Sequence, residues 1–144
     1  MFLEVLRRIL NVSRGKNKKY KDTYASISGN DYFGTIYDGM CKSEKYQRLS
    51  LAARQLYTIC RVQARSSIGR ACLYKHSKEF GITYNENDFV FPASHLKMYG
   101  YDRSNAGKYI KELEAAGFIE KKEKNKHMKK VNVYSFSDGW KKTD

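Results

Sequence analysis

The sequence predicts an α+β domain that is mainly helical. Three observations predict it: apolar residues recur at helical spacing, two short helices are separated by a glycine, and β-rich segments cluster towards the C-terminus. The last two observations fall within residues 89–136, where a strand, two helices and two further strands follow one another. With 144 residues, 41% of them apolar, the chain is long enough to bury a core of its own.

The chain is strongly basic along its whole length. Its formal net charge is +13 and its pI is near 9.6. Residues 1–31 hold seven Lys and Arg against three acids, residues 32–88 nine against five, and residues 89–144 twelve against seven. Such an excess opposes compaction unless it meets an anion, and nucleic acid is the usual one. A basic surface without a specific partner is the alternative.

The N-terminal part is predicted to be an appendage of the domain. Residues 1–12 form a short amphipathic helix that could pack on the domain or pair with a second copy to give a homodimer. A membrane contact is less favoured, because the stretch is too brief for firm binding alone. Residues 13–31 are predicted to be a flexible basic linker, residues 32–140 the folded domain and residues 141–144 a tail.

Composition also indicates where the protein resides. The three cysteines form an odd number without a CxxC pair, so a disulfide scaffold is not indicated. No apolar run approaches the ~20 residues that span a bilayer, and the first ten residues do not form a secretory signal. We expect a cytoplasmic protein that has no membrane partner.

The domain is predicted to begin with a short strand over Tyr32–Tyr37 and a helical turn over residues 38–45. Ser50 is a typical N-cap for a helix that ends between residues 63 and 66. Apolar residues at helical spacing predict its buried face: Leu51, Ala52, Leu56, Ile59 and Cys60.

Residues 66–88 give weaker signals. A break at residues 66–70 is followed by a weakly helical stretch, Ala71–Phe80, which Gly81 ends. The strand-type residues of Ile82–Tyr84 and Phe89–Phe91, separated by turn residues, predict a hairpin.

The next two helices form a predicted helix–turn–helix. Pro92 suits the first turn of a helix over Ala93–Tyr99, which places Leu96 inside and His95 outside. Gly100 permits a left-handed turn, and either Asp102 or Ser104 caps the second helix. The buried stripe of the second helix is predicted from its spacing: Ala106, Tyr109, Ile110 and Leu113.

The opposite face of the second helix carries residue types that contact bases and phosphates. Its predicted DNA contacts are Arg103, Ser104, Asn105, Lys108 and Lys111. Glu112 and Gly107 lie on the same face. A glycine in the middle of a helix lowers its stability by about 1 kcal/mol relative to alanine. Either the close approach of a ligand backbone or tight packing against another helix would explain a glycine at this position. Packing is slightly favoured.

A basic hairpin follows this helix. Two predicted strands, Phe118–Lys122 and Val131–Phe136, are joined by a lysine loop, residues 124–130. A helix that enters the major groove and a loop beside it that reaches phosphates would together bind DNA. The predicted phosphate contacts of the loop are Lys124, Lys126, Lys129 and Lys130.

Here the chain resembles winged helix-turn-helix DNA-binding domains. The segment DRSNAGKYIKELEAAGFIEKKE resembles their recognition helix and first wing strand, and LSLAARQLYTICRVQA resembles their first helix. The resemblance covers about residues 32–137. Within this family the chain is similar to winged-helix proteins of phages, plasmids and conjugative transposons. It implies double-stranded DNA as the partner and a role in transcription regulation or in DNA replication, as an initiator or replisome organiser.

Other chemistry is weakly indicated. Cys72 and His76 lie four apart, and Cys60 and His95 could join them, but a single mixed pair does not predict a metal site. The carboxylates are scattered and no phosphate-binding loop motif is present, so no cofactor and no enzymatic activity are expected. Two alternatives stay open. One is a protein–protein interaction module, and the other is RNA or single-strand binding through tyrosines such as Tyr20, Tyr99 and Tyr101.

Overall fold

A computed structural model of the chain describes residues 32–122 and 132–142. The predicted N-terminal helix, the basic linker and homodimer pairing through that helix therefore lie outside the described residues. The four predicted phosphate-contacting lysines of the lysine loop lie outside them as well.

The described residues form an α+β domain that is mainly helical, as predicted. The helices are α1 (Asp38–Lys42), α2 (Glu44–Gln47), α3 (Leu51–Arg65), α4 (Ser67–Phe80), α5 (Ala93–Met98) and α6 (Arg103–Ala115). The strands are β1 (Asp88–Val90), β2 (Ile119–Lys121) and β3 (Val133–Phe136), and a 3₁₀ turn follows at Gly139–Lys141.

The three strands form one antiparallel sheet in which the last strand lies in the middle. The order is β1-β3-β2, with Phe89 opposite Tyr134 and Glu120 opposite Ser135. The predicted hairpin between residues 82–84 and 89–91 is therefore wrong. Strand-type residues show that a segment suits a sheet but not which strand it pairs with, and β3 takes this edge of β1.

The predicted strand over Tyr32–Tyr37 is also wrong, because this segment runs along α3 without joining the sheet. A Cβ on Gly34 would lie 2.6 Å from Arg61 Cβ, so the backbone passes directly over the helix. The Nε of Arg61 donates to the carbonyl of Thr35 at 2.9 Å.

Helix α3 begins where the sequence predicts. The Ser50 hydroxyl accepts from the Ala53 amide at 3.1 Å and caps the first turn. Leu51, predicted to be buried, is 78% exposed, while Ala53 is fully buried. Leu51 is the first helical residue, where a side chain at helical spacing still lies beyond the edge of the core.

Helix α4 begins four residues before the predicted start. Ser66 caps it by accepting from the Gly69 amide at 3.0 Å, and Gly69 lies so close to α3 that a Cβ there would be 2.1 Å from the Gln63 carbonyl oxygen. The predicted break at residues 66–70 is thus a sharp helix–helix corner. Gly81, with φ at 65°, ends α4 as predicted.

The sheet separates two apolar cores. Its main-core face carries Phe89, Ile119 and Tyr134, which pack with α3, α5 and α6. On the second face, Val90 and Val133 pack against Leu73 of α4 and against Tyr84. Residues 66–88 therefore cover the second face of the sheet.

A buried polar pair ties α3 to α5. His95, predicted to lie outside, is only 9% exposed, and its Nδ1 accepts from the side-chain amide of Gln63. The same amide also donates to the Val90 carbonyl at 3.4 Å. Burial lowers the pKa of His95 from its usual 6.5, because the charged imidazolium is poorly solvated there.

We predict that this pair makes the domain less stable in mild acid. The unfolded chain protonates His95 as pH falls through 6.5, while the folded chain resists, so the free energy of unfolding decreases by up to about 1.4 kcal/mol per pH unit from this group. Chemical denaturation between pH 7.5 and 5.5 measures the change. His95→Gln, which does not titrate, should show a shallower decrease, and an equal slope in both proteins would contradict the assignment.

Candidate nucleic-acid interface

Helix α6 is capped by Asp102. Its Oδ1 accepts from the Asn105 amide and from the Ser104 hydroxyl, each at 2.8 Å, and its Oδ2 accepts from the Asn105 side-chain amide at 3.0 Å. The backbone bond from Asn105, followed by the Ser104 hydroxyl, lowers the pKa of Asp102. The cap therefore orients two of the predicted DNA-contacting side chains. An amide group has a second N–H and a carbonyl oxygen, so Asn105 keeps the capacity to pair with a base edge.

The buried stripe of α6 fixes which side chains face outward. Ala106, Ile110 and Leu113 are buried as predicted, and Tyr109 is half-buried against the main core. The five predicted DNA contacts, Arg103, Ser104, Asn105, Lys108 and Lys111, are all exposed. We call these five residues the α6 polar face. Ser104, Lys108 and Lys111 lie opposite the buried stripe at helical spacing.

The cations of this face have no carboxylate partner among the described residues. None of the ion pairs within residues 32–122 and 132–142 involves Arg103, Lys108 or Lys111. Lys108 Nζ lies 5.9 Å from the centre of the Tyr109 ring, at the outer range of a cation–π contact. The α6 polar face is therefore locally positive.

Glu112 does not counter that charge at the surface. Its carboxylate accepts from the Ser50 amide at 2.7 Å and from the Ser50 hydroxyl at 2.9 Å, so it binds the first turn of α3. The sequence placed Glu112 on the polar face. In the structure it fastens α6 to α3 and contributes to the position of the whole helix.

Gly107 lies beside the α6 polar face in open space. Within residues 32–122 and 132–142, no heavy atom of another element lies within 4 Å of the position that a Cβ would occupy. The prediction that tight packing explains this glycine is therefore wrong, since no neighbour approaches it. Its cost to the helix is instead consistent with a surface left bare for an external group.

Two side chains of α5 are exposed just before the turn that leads to α6. Lys97 is exposed, and Met98 is 60% exposed immediately before the turn. Gly100, with φ at 86°, makes that turn as predicted. Met98 lies two residues after the buried Leu96, off the helical spacing of the core face, and this spacing is the sequence signal for its exposure.

An ion pair with a buried carboxylate joins the two edge strands. Lys122 Nζ lies 2.8 Å from Asp88 Oδ2, and Asp88 is fully buried. The Asn85 amide donates to the same oxygen at 2.8 Å. Asp88 begins β1 and Lys122 follows β2, so this pair links the edge strands on either side of β3.

Two of the tyrosines proposed for single-strand stacking turn inward, and the third, Tyr20, lies outside the described residues. Tyr99 and Tyr101 are half-buried and pack against the main core. The Tyr99 ring meets Phe91 edge-on, with centroids 5.9 Å apart. A ring in such a contact presents little face for a base, so the described structure gives these two tyrosines a packing role.

The residues considered as metal ligands are distributed across the two cores. Among the described residues, no group of three or more His, Cys, Asp or Glu side chains is placed to hold a metal ion. His76 Nδ1 lies 3.0 Å from the Tyr84 hydroxyl, and burial raises the pKa of the Cys60 and Cys72 thiols. In residues 32–122 and 132–142, no helix has the length and apolar character to cross a membrane.

Comparison with known proteins adds no relative. No protein-family model matches the chain, and neither a curated protein nor a solved structure does.

We predict opposite effects for alanine at two glycines. Gly107→Ala should raise the free energy of unfolding by about 0.5–1 kcal/mol, because the site is helical and open. Gly117→Ala should lower it by about 2 kcal/mol or more: φ at Gly117 is 86°, and a Cβ would lie 2.6 Å from the Gly139 carbonyl carbon. Denaturant titration of both variants measures this.

Gly107→Ala also tests whether a ligand occupies the open space beside Gly107. Gly107→Ala should weaken duplex DNA binding although the protein is more stable. A variant that is more stable and binds duplex DNA as well as the parent would show that the bare surface serves no ligand.

Proposed function

We propose that this protein is a winged helix-turn-helix protein that binds double-stranded DNA. Helix α6 would enter the major groove, and the lysine loop would contact neighbouring phosphates. The observation that carries the proposal is the α6 polar face. Three cations, a serine and an asparagine are exposed together on one helix, and Glu112, one of the two glutamates of that helix, accepts from Ser50 instead.

The chain order of elements supports a winged helix. Helix α3 precedes β1, the helix pair α5–α6 follows, and β2 and β3 form the hairpin that carries the lysine loop. The main core joins α6 to this sheet, because Leu113 and Ile110 pack in one cluster with Ile119 and Tyr134. The recognition helix and the hairpin would then move as one body.

The two parts would contribute differently to binding. Side chains such as Asn105 can pair with base edges, while lysines on a loop bind phosphates without reading sequence. The positive charge spread over the rest of the chain would add long-range attraction to the duplex. By its resemblance to proteins of mobile elements, the protein would act in transcription regulation or in replication of such an element.

We predict a steep salt dependence of duplex binding. If about six phosphates are neutralised, the logarithm of the association constant should fall against the logarithm of salt concentration with a slope of about −5. Fluorescence anisotropy with a duplex of random sequence, titrated from low to moderate salt, measures the slope. An affinity that does not change with salt, or preference for a single-stranded competitor, would overturn the proposal.

We also predict separate effects for base and phosphate contacts. Asn105→Ala should reduce the discrimination between sequences selected from random duplexes and unselected ones, whereas Lys126→Ala should weaken both classes equally. Lys75→Ala, an exposed lysine on α4, is the matched control and should change neither. Equal loss of discrimination in Asn105→Ala and Lys126→Ala would contradict this division.

A further inference from the structure

A small cavity lies at the end of the sheet away from the lysine loop. Its volume is about 60 Å³, which is room for about two water molecules. Six of its lining residues are Arg61, Arg65, Arg70, Glu86, Asn87 and Phe136. Phe136 ends β3, whereas the lysine loop enters β3 at the other end, so the cavity and the loop occupy opposite ends of this strand.

Arg70 is a buried cation with donors to spare. Only 2% of the residue is exposed. Its Nη2 donates to the Glu86 carbonyl at 3.3 Å, while Nε and Nη1 have no hydrogen-bond partner among the described residues. Burial, and then the charge of Arg65, lower the pKa of Arg70 to about 10. The guanidinium therefore remains charged at neutral pH.

Two further arginines face the same cavity. Arg65 is half-buried, and burial followed by the charge of Arg61 lowers its pKa. Arg61 is held in place because its guanidinium lies 4.5 Å from the centre of the Phe136 ring and its Nε donates to Thr35. Three like charges thus surround one small space, an arrangement that repulsion and desolvation both disfavour.

The nearby carboxylates only partly offset this charge. Glu86 lies on the exposed rim of the cavity and attracts both Arg65 and Arg70. Asp88 attracts Arg70 but already forms an ion pair with Lys122 at 2.8 Å. Within the described residues no salt bridge joins any of the three arginines to a carboxylate. Positive charge therefore remains at the cavity.

We infer that this cavity binds one phosphate group, either free phosphate or the terminal phosphate of a nucleotide. Arginine forks match the oxygen geometry of phosphate, so Arg61 and Arg65 would bind the oxygens directly while the buried charge of Arg70 attracts the anion. The volume suits a single oxyanion, so a base or sugar would stay outside the rim. This site is separate from the α6 polar face and does not depend on the DNA-binding proposal.

Calorimetric titration of the full chain with inorganic phosphate tests the inference. Sodium chloride of equal ionic strength is the reference. We expect saturable binding of one phosphate per chain. Arg65→Gln should weaken it about tenfold or more, since a charge-assisted bond is lost. Arg48→Gln is the matched control, because Arg48 is exposed and lies near the opposite end of α3. This variant should bind phosphate as tightly as the parent does.

Absence of saturable binding by the parent protein, or equal weakening in Arg65→Gln and Arg48→Gln, would overturn the site. Arg70→Gln is a second test, read only where its circular dichroism spectrum matches the parent. Arg65→Gln, at a half-buried position, keeps the test decisive if Arg70→Gln does not fold.

Adenosine monophosphate distinguishes the two sources of phosphate, with adenosine as the matched control. Tighter binding of the monophosphate than of inorganic phosphate identifies a nucleotide, and equal binding identifies free phosphate. Adenosine binding as tightly as its monophosphate would contradict a phosphate site. Arg65→Gln should bind duplex DNA with the same affinity as the parent. If this variant loses duplex affinity as much as phosphate affinity, the cavity contributes to DNA binding and the separate site is overturned.

Discussion

The position of β3 is the constraint on which the rest of the structure depends. This four-residue strand pairs with both β1 and β2, and its side chains alternate between the two cores. Neither edge strand contacts the other, so without β3 there is no sheet for the helices to pack on. Because β2 and β3 pair side by side, forming the sheet also brings Lys122 and Asn132 to the same end of the sheet.

The described acids near the candidate interface serve the fold. Glu112 binds the start of α3, Asp88 binds Lys122, and Asp102 caps α6. Each carboxylate is oriented by these bonds, so it is withdrawn from the solvent-facing surface or committed to backbone groups. In contrast, Arg103, Lys108 and Lys111 of the α6 polar face form no ion pair with a described residue. The α6 polar face therefore carries three cations without an ion-pair partner among the described residues, which the overall charge alone does not imply.

Helix caps, turns and the exposed face of α6 could be predicted from the sequence. Strand pairing and contacts between residues distant in the chain could not. Ser50, Gly81, Gly100 and Asp102 each act through their own backbone or hydroxyl chemistry, so their roles were predictable, as was the exposed face of α6. Pairing of β1 with β3 and burial of His95 depend on residues distant in sequence, which no local pattern encodes. The arginine cavity was missed for the same reason. Arg61 and Arg65 share a helix face, but Arg70 joins them only because the chain turns sharply at Ser66, between α3 and α4.

The two basic surfaces differ in how they would hold an anion. Lys108 and Lys111 are exposed and well hydrated, so their attraction to phosphates is screened within about 8 Å at physiological salt. Arg70 is buried and its neighbours are half-buried, so screening there is weaker and donor geometry matters more. A surface of the first kind suits a long polyanion, to which many weak contacts add up. A site of the second kind suits one small anion held by fixed donors, and the fold keeps the two at separate places.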